Sequence, residues 1–197
     1  LDQEIAEDAY HTPYIRPLVQ PKFRREKKGL TPAERGTATH LVLQYLDLQN
    51  SDVPGQVEKL RLESKLTAEQ AAAVDVPALR RFLESPLAEE MRQAETAARE
   101  YRFTVLMPAR DYDPAAAEED SILLQGVVDC WFETPEGITV VDFKTDFVQT
   151  EEDVAQHAEL YRGQLAAYSL ALERVLEKAV TRKALYFLQA GKTVEIS

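Results

Sequence analysis

The stretch GVVDCWFETPEGITVVDFKTD, Gly126 to Asp146, constrains the fold more than any other part of the chain. Two apolar runs flank a Pro-Glu-Gly turn, the pattern of a β-hairpin. With Thr134–Gly137 as the turn, Glu133 pairs with Ile138, and opposed residue numbers sum to 271. Asp129 then falls opposite Asp142. Side chains alternate along a strand, so both aspartates and Lys144 share a face. Opposed like charges destabilise a sheet, and an unpaired buried charge costs several kcal/mol or more.

A divalent cation offsets that cost, because hard cations prefer carboxylate oxygens. Lys144, next along the face, adds positive charge and suits hydrolysis. A metal-bound water is a nucleophile, and phosphodiester cleavage needs charge stabilisation on the transferring phosphoryl group. The competing reading makes one aspartate an exposed strand-end residue and pairs the other with Lys144, an arrangement nearly neutral in energy. A loop of odd length would also slip the register and separate the carboxylates.

Around the hairpin, Thr31 with Glu34 forms a capping box and Pro32 suits the first helical position. The helix they start reaches about Asp47, with Leu41, Val42, Tyr45 and Leu46 on its apolar face. Thr67 with Gln70, Asp75 before Val76-Pro77, and Ser85-Pro86 are further helix starts. They predict short helices over 57–64, 68–73, 76–84 and 86–95, forming a lid or a packing layer. Alternation of Tyr101, Phe103, Val105 and Met107 predicts a strand. An acidic loop follows over 108–120, then strands over 121–133 and 138–145. One long helix is expected from about Val154 to Lys178. Residues 184–189 and 193–196 form a closing hairpin around Ala190-Gly191. Residues 1–30, with Pro13, Pro17 and Pro21, read as a linker or arm.

The chain of 197 residues carries a net charge of -11, which argues against a nonspecific nucleic-acid coat. Arg16 to Arg35 holds seven basic and two acidic residues, a net of +5 that leaves -16 on the rest. That strip is either a solvated linker or a surface for a polyanion or another part of a larger protein. One cysteine, Cys130, excludes an intramolecular disulfide. No apolar run is long enough to span a bilayer, no signal peptide is visible, and a cytoplasmic location is expected. There is no Walker A loop, dinucleotide glycine fingerprint or Ser-His-Asp elbow.

GVVDCWF, ITVVDFKTD and the following YRGQLAAYSLALERVL resemble the nuclease motif of the PD-(D/E)XK superfamily, with Asp-Phe-Lys as its D-x-K end. More narrowly, ERGTATHLVLQYLDL, DFKTD, QLAAYSLALERVL and ALYFL, in this order, resemble the RecB-like C-terminal nuclease domain of the AddA family. The resemblance covers residues 31–196. It implies an α/β fold, with a mixed central sheet flanked by helices and an added helical segment over 57–98. Residues 31–197 would be the nuclease domain.

The same resemblance implies roles. Asp129 and Asp142 would be catalytic metal ligands, joined by His40 and the main-chain carbonyl of Phe143. Lys144 would be the catalytic lysine. Gln164 and Tyr168 match a Q-x-x-x-Y motif that presents amide and hydroxyl to DNA, and Glu100 matches an auxiliary acid on the preceding strand. The metal would be Mg²⁺, with Mn²⁺ or Ca²⁺ able to occupy the site. A single cysteine excludes the iron–sulfur cluster of related branches. The implied activity is exonuclease hydrolysis of single-stranded DNA during double-strand-break end processing for recombinational repair in the bacterial cytoplasm. The implied partners are DNA, a helicase portion of the same protein and an AddB-type subunit, with no membrane. The alternative is a noncatalytic nuclease-fold docking module in a DNA-repair complex. From the residues alone, His40 reads as a surface or satisfied histidine, Tyr168 as a packing residue beside an exposed Gln164, and Trp131 as core, while Glu100 reads equally as solvated or metal-linked. His11 and His157 are expected at the surface without a role.

Overall fold

A computed structural model describes residues 29–146 and 150–196. The arm up to residue 28, with most of the basic strip and His11, lies outside them. The described chain begins with α1 (Pro32–Tyr45), capped by the expected reciprocal bonds. Glu34 N donates to Thr31 Oγ1 at 3.2 Å, and Thr31 N donates to Glu34 Oε2 at 2.9 Å. α2 (Val53–Leu62) starts at Asp52. α3 (Ala68–Ala73), α4 (Val76–Leu83) and α5 (Pro86–Gln93) start at the anticipated caps Thr67, Asp75 and Ser85.

Then come β1 (Ala97–Pro108), a single turn α6 (Ala109–Tyr112), β2 (Ser121–Thr134) and β3 (Gly137–Lys144). α7 (Glu151–Leu160) and α8 (Arg162–Leu176) lead to β4 (Val180–Phe187) and β5 (Lys192–Glu195). The sheet order is β1-β2-β3-β4-β5. All pairs are antiparallel except β3 with β4, which run parallel and are joined by the α7–α8 crossover. The fold is therefore the mixed sheet with flanking helices that the sequence led us to expect.

Each face of the sheet carries its own core. Cys130, Phe132, Val141, Phe143, Ala184 and Tyr186 pack against helices α1, α2, α4 and α5. Phe82 of α4 sits edge-on to Phe143 and Tyr186, with ring centroids 5.1 Å and 5.0 Å away. Of the two readings open for the short helices, the packing layer describes this arrangement. The other face, with Trp131, Ile138, Val140, Leu185 and Phe187, is covered by α7 and α8 through Val154, Ala158, Leu165 and Leu172. No helix of the described residues is long and apolar enough to cross a membrane.

Two departures from the expected elements bear on the site. The long helix expected over 154–178 is broken at Tyr161, which ends α7 and starts α8 with φ -97° and ψ -1°. At the break its hydroxyl donates to Asp146 Oδ2 at 2.8 Å and ties the junction to the segment just after β3. The second departure is in β1. Its pairing with β2 runs from Ala97↔Phe132 to Arg99↔Cys130 and resumes at Tyr101↔Val128, skipping the rung of Glu100 and Asp129. Glu100 has φ +50°, a left-handed backbone costly for a residue with a side chain. Ala98 and Trp131 pack on the α8 side before this point, as do Tyr101, Phe103 and Val128 after it. Alternation thus slips by one on both strands at the same rung.

Candidate functional site

The hairpin register follows the sum of 271 from Thr134↔Gly137 through Cys130↔Val141. One residue short of the aspartates the main-chain ladder ends. The Asp129 side chain takes over, its Oδ2 accepting from Phe143 N at 2.8 Å. The carboxylates therefore come together, but not as a regular cross-strand pair. The slipped rung that turns Glu100 inward turns Asp129 with it.

A cleft of about 640 Å³ collects the candidates from five elements of the fold. Gly36 and His40 come from α1, Glu100 and Arg102 from β1, Asp129 from β2, and Asp142, Phe143 and Lys144 from β3. Gln164 and Tyr168 of α8 line the other side. Every site residue expected from the sequence lies here. Gly36 lets α1 come close: a Cβ there would stand 2.9 Å from Thr145 Oγ1 at the end of β3. One helical turn on, His40 Nδ1 lies 3.5 Å from Asp129 Oδ2.

Asp142 is 3% exposed. Burial, then the neighbouring Asp129 charge, push its carboxyl up to about 6, against the opposing pull of Lys144 and His40. Lys144 Nζ is 2.6 Å from Asp142 Oδ2. That contact is an ion pair without a well-directed hydrogen bond, since the same buried oxygen has no aligned donor. Burial alone would lower the His40 pKa, but Asp129, with a hydrogen bond and its charge, and Asp142 together raise it. Burial and then Asp129 raise Glu100.

The α8 residues act on the lysine. Lys144 Nζ donates to Gln164 Oε1 at 3.1 Å, and Gln164 Nε2 donates to Tyr168 Oη at 2.7 Å. Both ends of the amide are thus engaged within the protein, whereas the sequence suggested an amide offered to DNA. Tyr168 is buried against Phe103, ring centroids 5.9 Å apart. It lies over Gly126, where a Cβ would come within 2.9 Å of Phe103 Cζ. Trp131 is core, as expected. His157 is half-buried, its Nδ1 2.8 Å from the Asp153 carbonyl, and it lies outside the cleft.

Sequence reasoning missed Tyr161, Asp146 and Arg102, which also line the cleft. Tyr161 was within reach. It precedes Gln164 by three residues and Tyr168 by seven, the same stripe that singled out those two. Arg102 carries no such signal.

Among the described residues, no three His, Cys, Asp or Glu side chains surround one point closely enough to form a finished cation cage. The donor types nevertheless fit a hard divalent ion. Two carboxylates and an imidazole, from three separate elements, face one cleft, and a buried Asp142 oxygen lacks a directed donor.

A family model described as the PD-(D/E)XK nuclease superfamily matches residues 9–195. The chain is also similar to proteins named as the A-type subunit of an ATP-dependent helicase/nuclease. That of Acetivibrio thermocellus is 39% identical over 197 residues, covering 97% of this chain and 16% of the relative. That of Ruminiclostridium cellulolyticum is 37% identical over 199 residues, covering 99% and 16%. That of Bacillus cytotoxicus is 37% identical over 208 residues, covering 97% and 17%. The chain thus spans about a sixth of the length of these relatives.

Proposed function

Because the chain belongs to the PD-(D/E)XK nuclease superfamily, we propose that it is the nuclease portion of an AddA-type helicase–nuclease, hydrolysing phosphodiester bonds of single-stranded DNA with Mg²⁺. The setting is exonucleolytic processing of double-strand breaks for recombinational repair in the bacterial cytoplasm. A helicase portion of the same protein and an AddB-type subunit would deliver the strand. The observation that carries this reading is the meeting of His40, Asp129, Asp142 and Lys144 in one cleft.

His40, Asp129, Asp142 and the Phe143 carbonyl would hold the cation. Bound there, it would supply charge neutralisation at the scissile phosphate and lower the pKa of a water. Lys144 is the group of this chain best placed to meet negative charge developing on the phosphoryl oxygens. Its ammonium lies against Asp142 and is aimed by Gln164. Gln164 is in turn held by Tyr168, so that pair orients the lysine. Glu100 adds a fourth acidic group with Asp146, and the cleft's lining carries four carboxylates against Lys144, Arg102 and His40. That excess repels a DNA phosphate until positive charge enters the cleft.

The test is Mg²⁺-dependent cleavage of single-stranded DNA by the full-length protein in its complex. Asp142→Ala and Lys144→Ala should each lower the rate by about 10²-fold or more, the loss typical for removal of one transition-state contact. Cleavage left intact in both variants would make the chain a docking module of nuclease fold.

A further inference from the structure

Lys144 is unusually well confined for a lysine at the mouth of a cleft. Its side chain is only 12% exposed. Two of its neighbours are polar: Asp142 Oδ2 at 2.6 Å and Gln164 Oε1 at 3.1 Å. The third is the face of an aromatic ring, with Nζ 3.5 Å from the centroid of Tyr161. We propose that Tyr161, tethered by Asp146, is a positioning residue that fixes the Lys144 ammonium where negative charge develops on the phosphodiester. This assignment rests on the proposed function above.

The geometry supports a brace more than simple packing. An aromatic face attracts a cation through the ring quadrupole, and more so where water is excluded. A lysine stem has many rotamers, so an ammonium with one polar partner samples several positions. Here the ring closes the side left open by Asp142 and Gln164. The ring itself is held twice. Its backbone is the junction of α7 and α8, and it caps both helices. Its hydroxyl donates to Asp146 Oδ2 at 2.8 Å. Burial, with the Asp146 carboxylate beside it, raises the phenol pKa and keeps that donor protonated. Asp146 lies two residues beyond Lys144, so strand end, ring and ammonium form a closed loop of contacts. Breaking one long helix at Tyr161 is what brings the ring to this place.

The test compares Tyr161→Leu, Tyr161→Phe and Asp146→Asn in the full-length protein by two readouts. One is the rate at which acetic anhydride labels Lys144, followed by mass spectrometry, with the exposed Lys59 as internal control. The other is kcat and KM for single-stranded DNA. Tyr161→Leu should raise Lys144 labelling several-fold and lower kcat about tenfold, the scale of a shielded cation–π contact. KM and Lys59 labelling should hardly move. Tyr161→Phe, which keeps the ring and loses the tether, should fall between wild type and Tyr161→Leu, as should Asp146→Asn. Equal effects of Phe and Leu, or unchanged labelling and kcat in a folded Tyr161→Leu, would overturn the proposal. Should Tyr161→Leu not fold, unchanged Lys144 labelling in both other variants would overturn it instead. A wild-type protein that cleaves no DNA sinks the nuclease reading, and the labelling arm then decides the Tyr161 contact by itself.

Discussion

A carboxylate as buried as Asp142, 3% exposed beside a second carboxylate, works against folding unless something compensates it. Within the chain the compensation is partial. Lys144 neutralises Asp142 at close range, while Asp129 leans on the Phe143 N–H and on His40. Asp142 still sits well above the usual carboxylate range, at about 6. Burial and the Asp129 charge together outweigh the pairing with Lys144, the kind of perturbation that clusters at functional sites. Cys130, the residue between Asp129 and the core, shows the opposite use of burial. It is fully enclosed, and desolvation pushes its thiol up to about 12. A thiol so protonated is a poor nucleophile. Ellman's reagent at pH 8 should therefore leave Cys130 unreacted in the native protein and label one thiol per chain in denaturant. Rapid native labelling would show that the β2 layer opens readily.

The elements were legible in the sequence where a local rule suffices. Thr31 with Glu34 and Thr67 with Gln70 form the capping boxes their spacing announces. The turn at Pro135-Glu136 sets the hairpin register because a tight turn leaves few alternatives. Tertiary contacts decide the rest. The break at Tyr161 coincides with its bond to Asp146, fifteen residues earlier, a contact that no helical period encodes. The inward turn of Glu100 needs φ +50° in a strand of good alternation, a conformation that sequence preference disfavours. The parallel pairing of β3 with β4 follows from the crossover, not from either strand's composition. The cap of α1 can be tested by itself. Thr31→Ala removes the acceptor for Glu34 N and should lower stability by about 1 kcal/mol. A denaturant midpoint unchanged in that variant would mean that packing alone holds the first turn.

For the molecule as a whole, two helical layers clamp one mixed sheet, and the cleft opens between α1 and α8 across β1, β2 and β3. α1 delivers His40 from one side and α8 delivers Gln164 and Tyr168 from the other. The strands between them carry the carboxylates and the lysine. The sequence placed the carboxylates and Lys144 together through register arithmetic, whereas His40, Gln164 and Tyr168 entered through resemblance to a family. Residue chemistry alone left those three open because His40 meets Asp129 and Gln164 meets Lys144 only in the fold. The proposed function requires this acidic cleft to hold a divalent cation. Calorimetric titration with Mg²⁺ or Mn²⁺, on wild type and on Asp129→Ala and Asp142→Ala, tests it most directly. Wild type should bind one ion per chain saturably, and both variants should lose that binding. No binding in the wild type, or binding unchanged in either variant, would contradict it.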